Sequence, residues 1–199
     1  MPMINKNFKF IIKVIVFIIL FLPYFAFSNS NNCEYDKKIC DKLNQVVGIK
    51  TPIMVASGTL INDELIVTNR HVVEDHEQFI IRFNNGEIKK AFPLPHNFPA
   101  DLAILTLDKE IGISNKFIQS SEINGMIRVI AFDQGRKSNR IYDKGKIISF
   151  ADVKKFPQSR IHTDAKSLPG NSGGAVVDDK GNLIGILASG DGNINEIVP

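Results

Sequence analysis

Residues 54–68 read MVASGTLINDELIVT. Two aliphatic, β-branched runs, Met54–Ile61 and Glu64–Thr68, flank Asn62-Asp63. Short polar side chains such as these bond their own backbone and favour a tight turn, so the stretch reads as two strands joined by a turn. The same pattern continues in both directions. Upstream lies Gln45–Ile49, and downstream Phe79–Phe83, Glu87–Pro93 and Leu102–Leu107. A second series follows at Ile127–Phe132, Gly145–Phe150, Arg160–Thr163, Ala175–Asp178, Leu183–Ala188 and Glu196–Val198. Turn signals separate the runs, among them Asn84-Asn85-Gly86 and Asp179-Lys180-Gly181-Asn182. The only helical hint is a short turn after His71. No long 3.6-residue periodicity, internal repeat or low-complexity tract occurs.

The expected class is therefore all-β. Residues 43–110 form one six-stranded half, and residues 111–199 hold a connector, near Lys109–Glu122, and the other half. Closing each half into an antiparallel barrel removes its exposed edges. A β-sandwich gives much the same periodicity.

Residues 1–28 read as a signal peptide. Lys6, Lys9 and Lys13 make a positive start, Val14 to Phe27 is apolar apart from Pro23, and Ala26-Phe27-Ser28 offers a cleavage site after Ser28. The competing reading is a retained anchor, since Phe10 to Phe27 spans 18 residues with Lys13 inside it. Either reading sends the rest of the chain out of the cytoplasm, secreted or periplasmic, with a membrane contact only if the segment is kept. Three of the 24 basic residues lie in this segment and no acidic one does, leaving 21 basic against 21 acidic side chains. A balanced chain of this kind gives no electrostatic case for nucleic acid. The two cysteines, Cys33 and Cys40, fall in the short segment 29–42. In an exported chain they are expected to form a disulfide closing a small loop. No metal or organic cofactor is expected, since two cysteines without a nearby histidine do not make a zinc site. Nothing in the sequence bears on oligomeric state.

Three segments carry chemistry. Pro169-Gly170-Asn171-Ser172-Gly173-Gly174 sets a serine among glycines. A serine hydroxyl needs a base to take its proton and donors for the oxyanion that forms, and the backbone N–H groups of Gly170 and Ser172 are the candidate donors. Thr68-Asn69-Arg70-His71-Val72 puts a histidine just beyond a strand. Asp101 directly precedes the apolar run Leu102–Leu107, where an acid can orient an imidazole. Each alone has an ordinary explanation as a turn, a structural histidine or a solvated strand end. Together, in the order His71, Asp101, Ser172, they are far more specific. They assign Ser172 as nucleophile, His71 as general base and Asp101 as its orienter.

These blocks resemble the trypsin-like, chymotrypsin-fold serine peptidase family. The likeness is closest to the protease domain of the HtrA/DegP branch, with its TN-x-HV, D-x-A-x-L and GNSGG blocks. It runs from Val46 to Pro199 and takes in Ser57-Gly58-Thr59, Thr163-Asp164-Ala165 and Leu183-Ile184-Gly185-Ile186. It implies two β-barrels with the active site between them, and hydrolysis of protein or peptide substrates through an acyl-enzyme. It also implies a substrate pocket walled by Lys166, Ser167 and Leu168 on one side and by Leu187, Ala188 and Ser189 on the other. No acid lies there, so a small or medium apolar P1 side chain is expected rather than Arg or Lys; the alternative is an acidic P1 residue drawn by Lys166, against which stands the usual solvent-facing direction of such a lysine. Relatives of the branch continue into a peptide-binding PDZ domain, whereas this sequence ends at Pro199, and a regulated oligomeric chaperone-protease is not expected. Asn171 stands where digestive relatives have an aspartate, so activation by pairing that residue with a new N-terminus is not expected either. The alternative function is a binding module that keeps the fold without turnover.

Overall fold

The computed structural model describes residues 33–74, 76–112, 116–120, 123, 125–150, 160–190 and 193–199. The expected signal segment, residues 1–28, lies outside them. Among the described residues no helix is long and apolar enough to cross a membrane.

A short helix α1 (Lys37–Cys40) runs into a 3-10 helix at Asp41–Gln45. Asp36 caps α1, its carboxylate accepting the Lys38 N–H at 2.8 Å. Six strands follow: β1 (Val46–Lys50), β2 (Val55–Leu60), β3 (Leu65–Thr68), β4 (Phe79–Arg82), β5 (Ile88–Leu94) and β6 (Ala103–Leu107). A four-residue helix α2 (Arg70–Val73) leaves β3. The strands close into an antiparallel barrel in the order β1-β2-β3-β6-β5-β4. The side chains alternate as a half-buried strand requires: in β6, Ala103, Leu105 and Leu107 are buried while Ile104 and Thr106 are less so. The interior holds Val47, Ile49, Leu60, Ile66, Phe79 and Leu105, all fully enclosed.

The second half contains β7 (Met126–Asp133), β8 (Ser138–Ile141), β9 (Gly145–Phe150), β10 (Ile161–Thr163), β11 (Ala175–Asp178), β12 (Leu183–Gly190) and β13 (Asn195–Val198). The sheet runs β11-β12-β13-β10-β9-β7-β8, and an additional β11–β7 pairing closes six of these strands into a ring. Closure excludes the sandwich arrangement. Strand β8 hangs outside this ring on β7 and has no counterpart among the strands expected from sequence. It is anchored by a polar side chain: Asn139 Nδ2 donates to the carbonyls of Leu43, at 2.6 Å, and of Val46. The β11–β12 turn is built on Asp178, whose carboxylate accepts N–H groups of Lys180 and Asn182, both at 2.8 Å, and the Ser120 hydroxyl at 2.9 Å. Burial alone would push the Asp178 carboxyl up, but these donors outweigh it and hold it below the ordinary carboxylate value.

A buried serine of the first barrel makes several ties to the second. Ser57, in β2 and fully buried, receives the Phe132 N–H of β7 on its hydroxyl at 2.9 Å. The same hydroxyl donates to the Gly170 carbonyl at 2.9 Å, and the Ser57 N–H donates to the Ser172 carbonyl at 2.8 Å. The serine loop of the second half is thereby pinned onto the first.

Candidate active site

His71 sits in the first turn of α2, immediately beyond β3, and Asp101 two residues ahead of β6. Strands β3 and β6 are neighbours, with Thr68 opposite Ala103, so the ladder delivers both residues to one end of the first barrel. Two side chains of the intervening motif lock the two loops together. Buried Asn69 donates through Nδ2 to the Asp101 carbonyl at 2.9 Å, and Arg70 donates to the carbonyls of Ala100, at 2.9 Å, and Phe98.

The Asp101 carboxylate then grips His71 at two points. Oδ2 lies 2.9 Å from the imidazole Nδ1, and Oδ1 accepts the His71 backbone N–H at 3.1 Å. Contact with the carboxylate puts the proton on Nδ1 in the neutral ring and leaves Nε2 free to accept one. Burial pushes the Asp101 carboxyl up. The hydrogen bonds from His71, with the charges of His71 and Arg160, more than offset this, and the net direction is down. The aspartate therefore remains ionised in the range where a histidine titrates. The ring is open to solvent, its side chain 39% exposed against 17% for Asp101.

The serine loop is shaped by a buried amide. Asn171 accepts the Leu168 N–H on Oδ1 at 2.6 Å and donates through Nδ2 to the Phe132 carbonyl at 3.0 Å. Both ends of this side chain are thus occupied within the second half, which gives the neutral residue a structural job in place of an ion pair. The loop's own N–H groups divide in two. Asn171 donates to Leu168, Gly173 to Leu187 and Gly174 to Asn171. Among the described residues the N–H groups of Gly170 and Ser172 meet no protein acceptor. Two unused N–H groups on alternate residues of one tight, partly exposed loop are suited to an external oxyanion. Ser172 Oγ itself makes no hydrogen bond to the imidazole; the loop is tied to the first barrel through Thr59, whose hydroxyl donates to the Gly173 carbonyl at 3.0 Å.

Gly173 has φ +88°, and a Cβ placed there would stand 1.9 Å from the Ser57 carbonyl and 2.4 Å from Thr68 Oγ1. Backbone from the two halves meets at this point with no room for a side chain. Gly173→Ala is expected to cost on the order of 3 kcal/mol through overpacking and left-handed strain. Such a cost corresponds to a drop in Tm of about 6–12 °C for a chain of this size. Calorimetry of the variant checks this, and an unchanged Tm would contradict the close approach.

The expected pocket residues separate. Lys166 is 71% exposed and pairs at 3.4 Å with Asp143, itself 70% exposed, so its charge is held in a solvent-facing pair. Ser167 donates to Asn195 Oδ1 at 2.7 Å, and Leu168 is about half exposed. On the facing strand the Leu187 side chain packs into the interior of the second barrel and Ala188 is fully buried, leaving Ser189 as the open residue. Sequence reasoning did not single out Asn195. It is buried, bonds Ser167 and the Ala165 carbonyl, and fills the space beside Gly190, where a Cβ would meet its Oδ1 at 1.8 Å. Its only sequence signal is a polar residue at a strand start. Among the described residues no group of three or more His, Cys, Asp or Glu is placed to hold a metal ion.

Comparison with known proteins places these features. Residues 56–186 match the trypsin-like peptidase domain family. The chain is 28% identical over 137 residues to serine endoprotease DegS of Escherichia coli K12, covering 66% of this chain and 39% of that protein. It is 31% identical over 128 residues to serine protease Do-like HtrA of Lactobacillus helveticus, covering 61% and 31%. The chain thus spans about a third of the length of these curated relatives. Among solved structures, the HtrA-type protease AlgW with tripeptide superposes with a TM-score of 0.69 at 24% identity, covering 81% of this chain and 58% of that one. The inactive form of Rv3671c protease gives 0.68 at 16%, covering 81% and 86%. With its match extending over well more than half of the chain, this protein belongs to the trypsin-like peptidase domain family.

Proposed function

We propose that the chain is an exported serine endopeptidase with Ser172 as nucleophile, His71 as general base and Asp101 as the residue that orients it. One observation carries the reading. An ionised carboxylate holds a solvent-open imidazole by Nδ1 at 2.9 Å, on the same protein whose serine loop leaves the Gly170 and Ser172 N–H groups unused. Its curated relatives include serine endoproteases, which supports the same class.

In the proposed reaction Ser172 Oγ adds to the carbonyl carbon of the scissile peptide bond as its proton passes to His71 Nε2. The carbonyl oxygen takes up the displaced electron pair and accepts hydrogen bonds from the Gly170 and Ser172 N–H groups. The imidazolium gives its proton to the amide nitrogen, the C–N bond breaks and the amine leaves. Water repeats the sequence on the acyl-enzyme, freeing the acid and restoring Ser172. Asp101 keeps Nδ1 protonated and favours the imidazolium. The substrate is a protein or peptide whose P1 side chain, small or medium and apolar, enters between Ser167–Leu168 and Ser189–Gly190.

Export rests on the signal-like residues 1–28 and on similarity to a probable periplasmic DegP-like endoprotease of Pseudomonas putida, 27% identical over 139 residues. A Cys33–Cys40 disulfide fits that compartment, and neither cysteine is a free thiol. Digestion of β-casein tests the activity. Internal cuts after small or medium apolar residues, mapped by mass spectrometry of the products, are expected. Intact casein, or release of terminal residues alone, would overturn the endopeptidase reading.

A further inference from the structure

A third contact on the Asp101 carboxylate comes from the opposite barrel. Arg160, directly ahead of β10, places Nη2 3.6 Å from Asp101 Oδ2, the same oxygen that faces His71 Nδ1. Its guanidinium does not wander to reach this point. Glu196 of β13 pairs with Nη1, and the Ser189 hydroxyl of β12 accepts from Nη1 at 3.2 Å and donates to Glu196 Oε2 at 2.7 Å. Arg160 is 28% exposed and Asp101 17%, so the contact is screened less than a surface pair.

We infer that Arg160 is a positioning residue for the proposed dyad, a cation fixed on the second barrel that bears on Asp101 and tunes how strongly its carboxylate favours the protonated form of His71. The inference rests on the triad reading above. Arg160 draws on the same carboxylate oxygen as the imidazole and repels an imidazolium, so it keeps the base neutral at lower pH than Asp101 alone would allow. Among the described residues the charged groups around the carboxylate are few. Arg70 lies on the carbonyls of Phe98 and Ala100 from α2. On the second barrel Glu196 backs Arg160, and His162 of β10 sits 3.7 Å from Glu196 with its other ring nitrogen 3.0 Å from the Ser149 hydroxyl. Burial pushes the Glu196 carboxyl up, but the Ser189 and Arg160 hydrogen bonds and the Arg160 and His162 charges hold it below the ordinary value, so it stays an anion that fastens Arg160. The clamp also joins Ser189, on the proposed pocket wall, to Asp101 across the barrels.

The test uses the full mature chain with Arg160→Met, Arg160→Lys and the double variant Arg160→Met/Glu196→Gln, which avoids stranding the Glu196 charge. Two readouts are taken: the acid limb of kcat/KM against pH, and the pH midpoint of the His71 ring followed by NMR in a Ser172→Ala background. Removing the cation in either Met variant is expected to move both toward higher pH by about one unit, the scale of one nearby charge at intermediate dielectric. Arg160→Lys should return both most of the way. A purely structural role would lower kcat/KM at every pH and leave both midpoints in place, and that result overturns the inference. If the wild-type chain hydrolyses no peptide, the proposed function fails, while the NMR midpoints still decide for or against the Arg160 coupling.

Discussion

Ser172→Ala is expected to lose about 10⁶-fold in kcat with the fold intact, the scale on which a working triad responds to loss of its nucleophile. The substitution deletes one oxygen. Ser172 Oγ accepts and donates no hydrogen bond that holds the loop, because the loop's anchors are elsewhere. Its backbone carbonyl receives the Ser57 N–H, and Asn171, Gly173 and Gly174 make the remaining ties. The N–H groups of Gly170 and Ser172 also survive in the variant, so binding and polarisation of the scissile carbonyl persist while the covalent step is lost. KM is therefore expected to stay within a few-fold of wild type, and circular dichroism and Tm to be unchanged. Peptidase activity retained by the pure variant would place the nucleophile elsewhere.

Asp101→Asn is expected to cost roughly 10⁴-fold in kcat/KM near neutral pH. The carboxylate offers only acceptors, one oxygen to the His71 Nδ1 and the other to its backbone N–H. An asparagine can present an acceptor to one of these and must turn its NH₂ group toward the other. If the NH₂ meets Nδ1, the ring takes the opposite tautomer, with its proton on Nε2, where it cannot accept one from Ser172. If it meets the backbone N–H, two donors collide at 3.1 Å. In the wild-type chain the Asp101 carboxyl is held below the ordinary range, so it does not titrate near neutrality. The acid limb of kcat/KM then belongs to the general base and falls about tenfold per pH unit. Kinetics of both proteins on one apolar-P1 peptide across pH check this. A near-normal Asp101→Asn rate, or a wild-type rate that stays flat down to pH 4, would remove His71 and Asp101 from the proposed roles.

Most ring strands were readable from sequence because they are short aliphatic runs whose alternation is enforced by a closed interior; β10, Ile161–Thr163, holds one aliphatic residue and was placed from the run Arg160–Thr163 between turn signals. Leu102–Leu107 is observed as Ala103–Leu107 and Glu64–Thr68 as Leu65–Thr68. Strand β8 was not readable. Of Ser138-Asn139-Arg140-Ile141 only Ile141 is apolar, and what fixes the strand is the Asn139 amide on two carbonyls about ninety residues away in sequence. Helix α1, at four residues, is too short to show a 3.6-residue period and rests on the Asp36 cap. At the site, the chemistry-bearing side chains stood in recognisable blocks, and their neighbours explain the blocks: Asn69 and Arg70 hold the Asp101 loop, and Ser57 holds the serine loop. Arg160 and Asn195 gave no comparable signal, because their roles depend on groups brought across the cleft or between strands by the fold alone. The pocket was the least legible part. Leu187 looks like a lining residue on analogy, yet its side chain packs into the barrel interior, on a strand whose alternation is broken by register shifts.

If Ser172 is an activated nucleophile, covalent labelling detects it without knowledge of the natural substrate. The purified protein is treated with a fluorophosphonate at neutral pH, and the adduct is weighed intact and mapped by peptide fragmentation. One phosphonyl group on Ser172 is expected, formed rapidly in wild type and slowed at least a hundredfold in His71→Ala, because general-base assistance contributes on that scale. Absence of an adduct, an adduct on another residue, or equal labelling of His71→Ala would contradict the assignment.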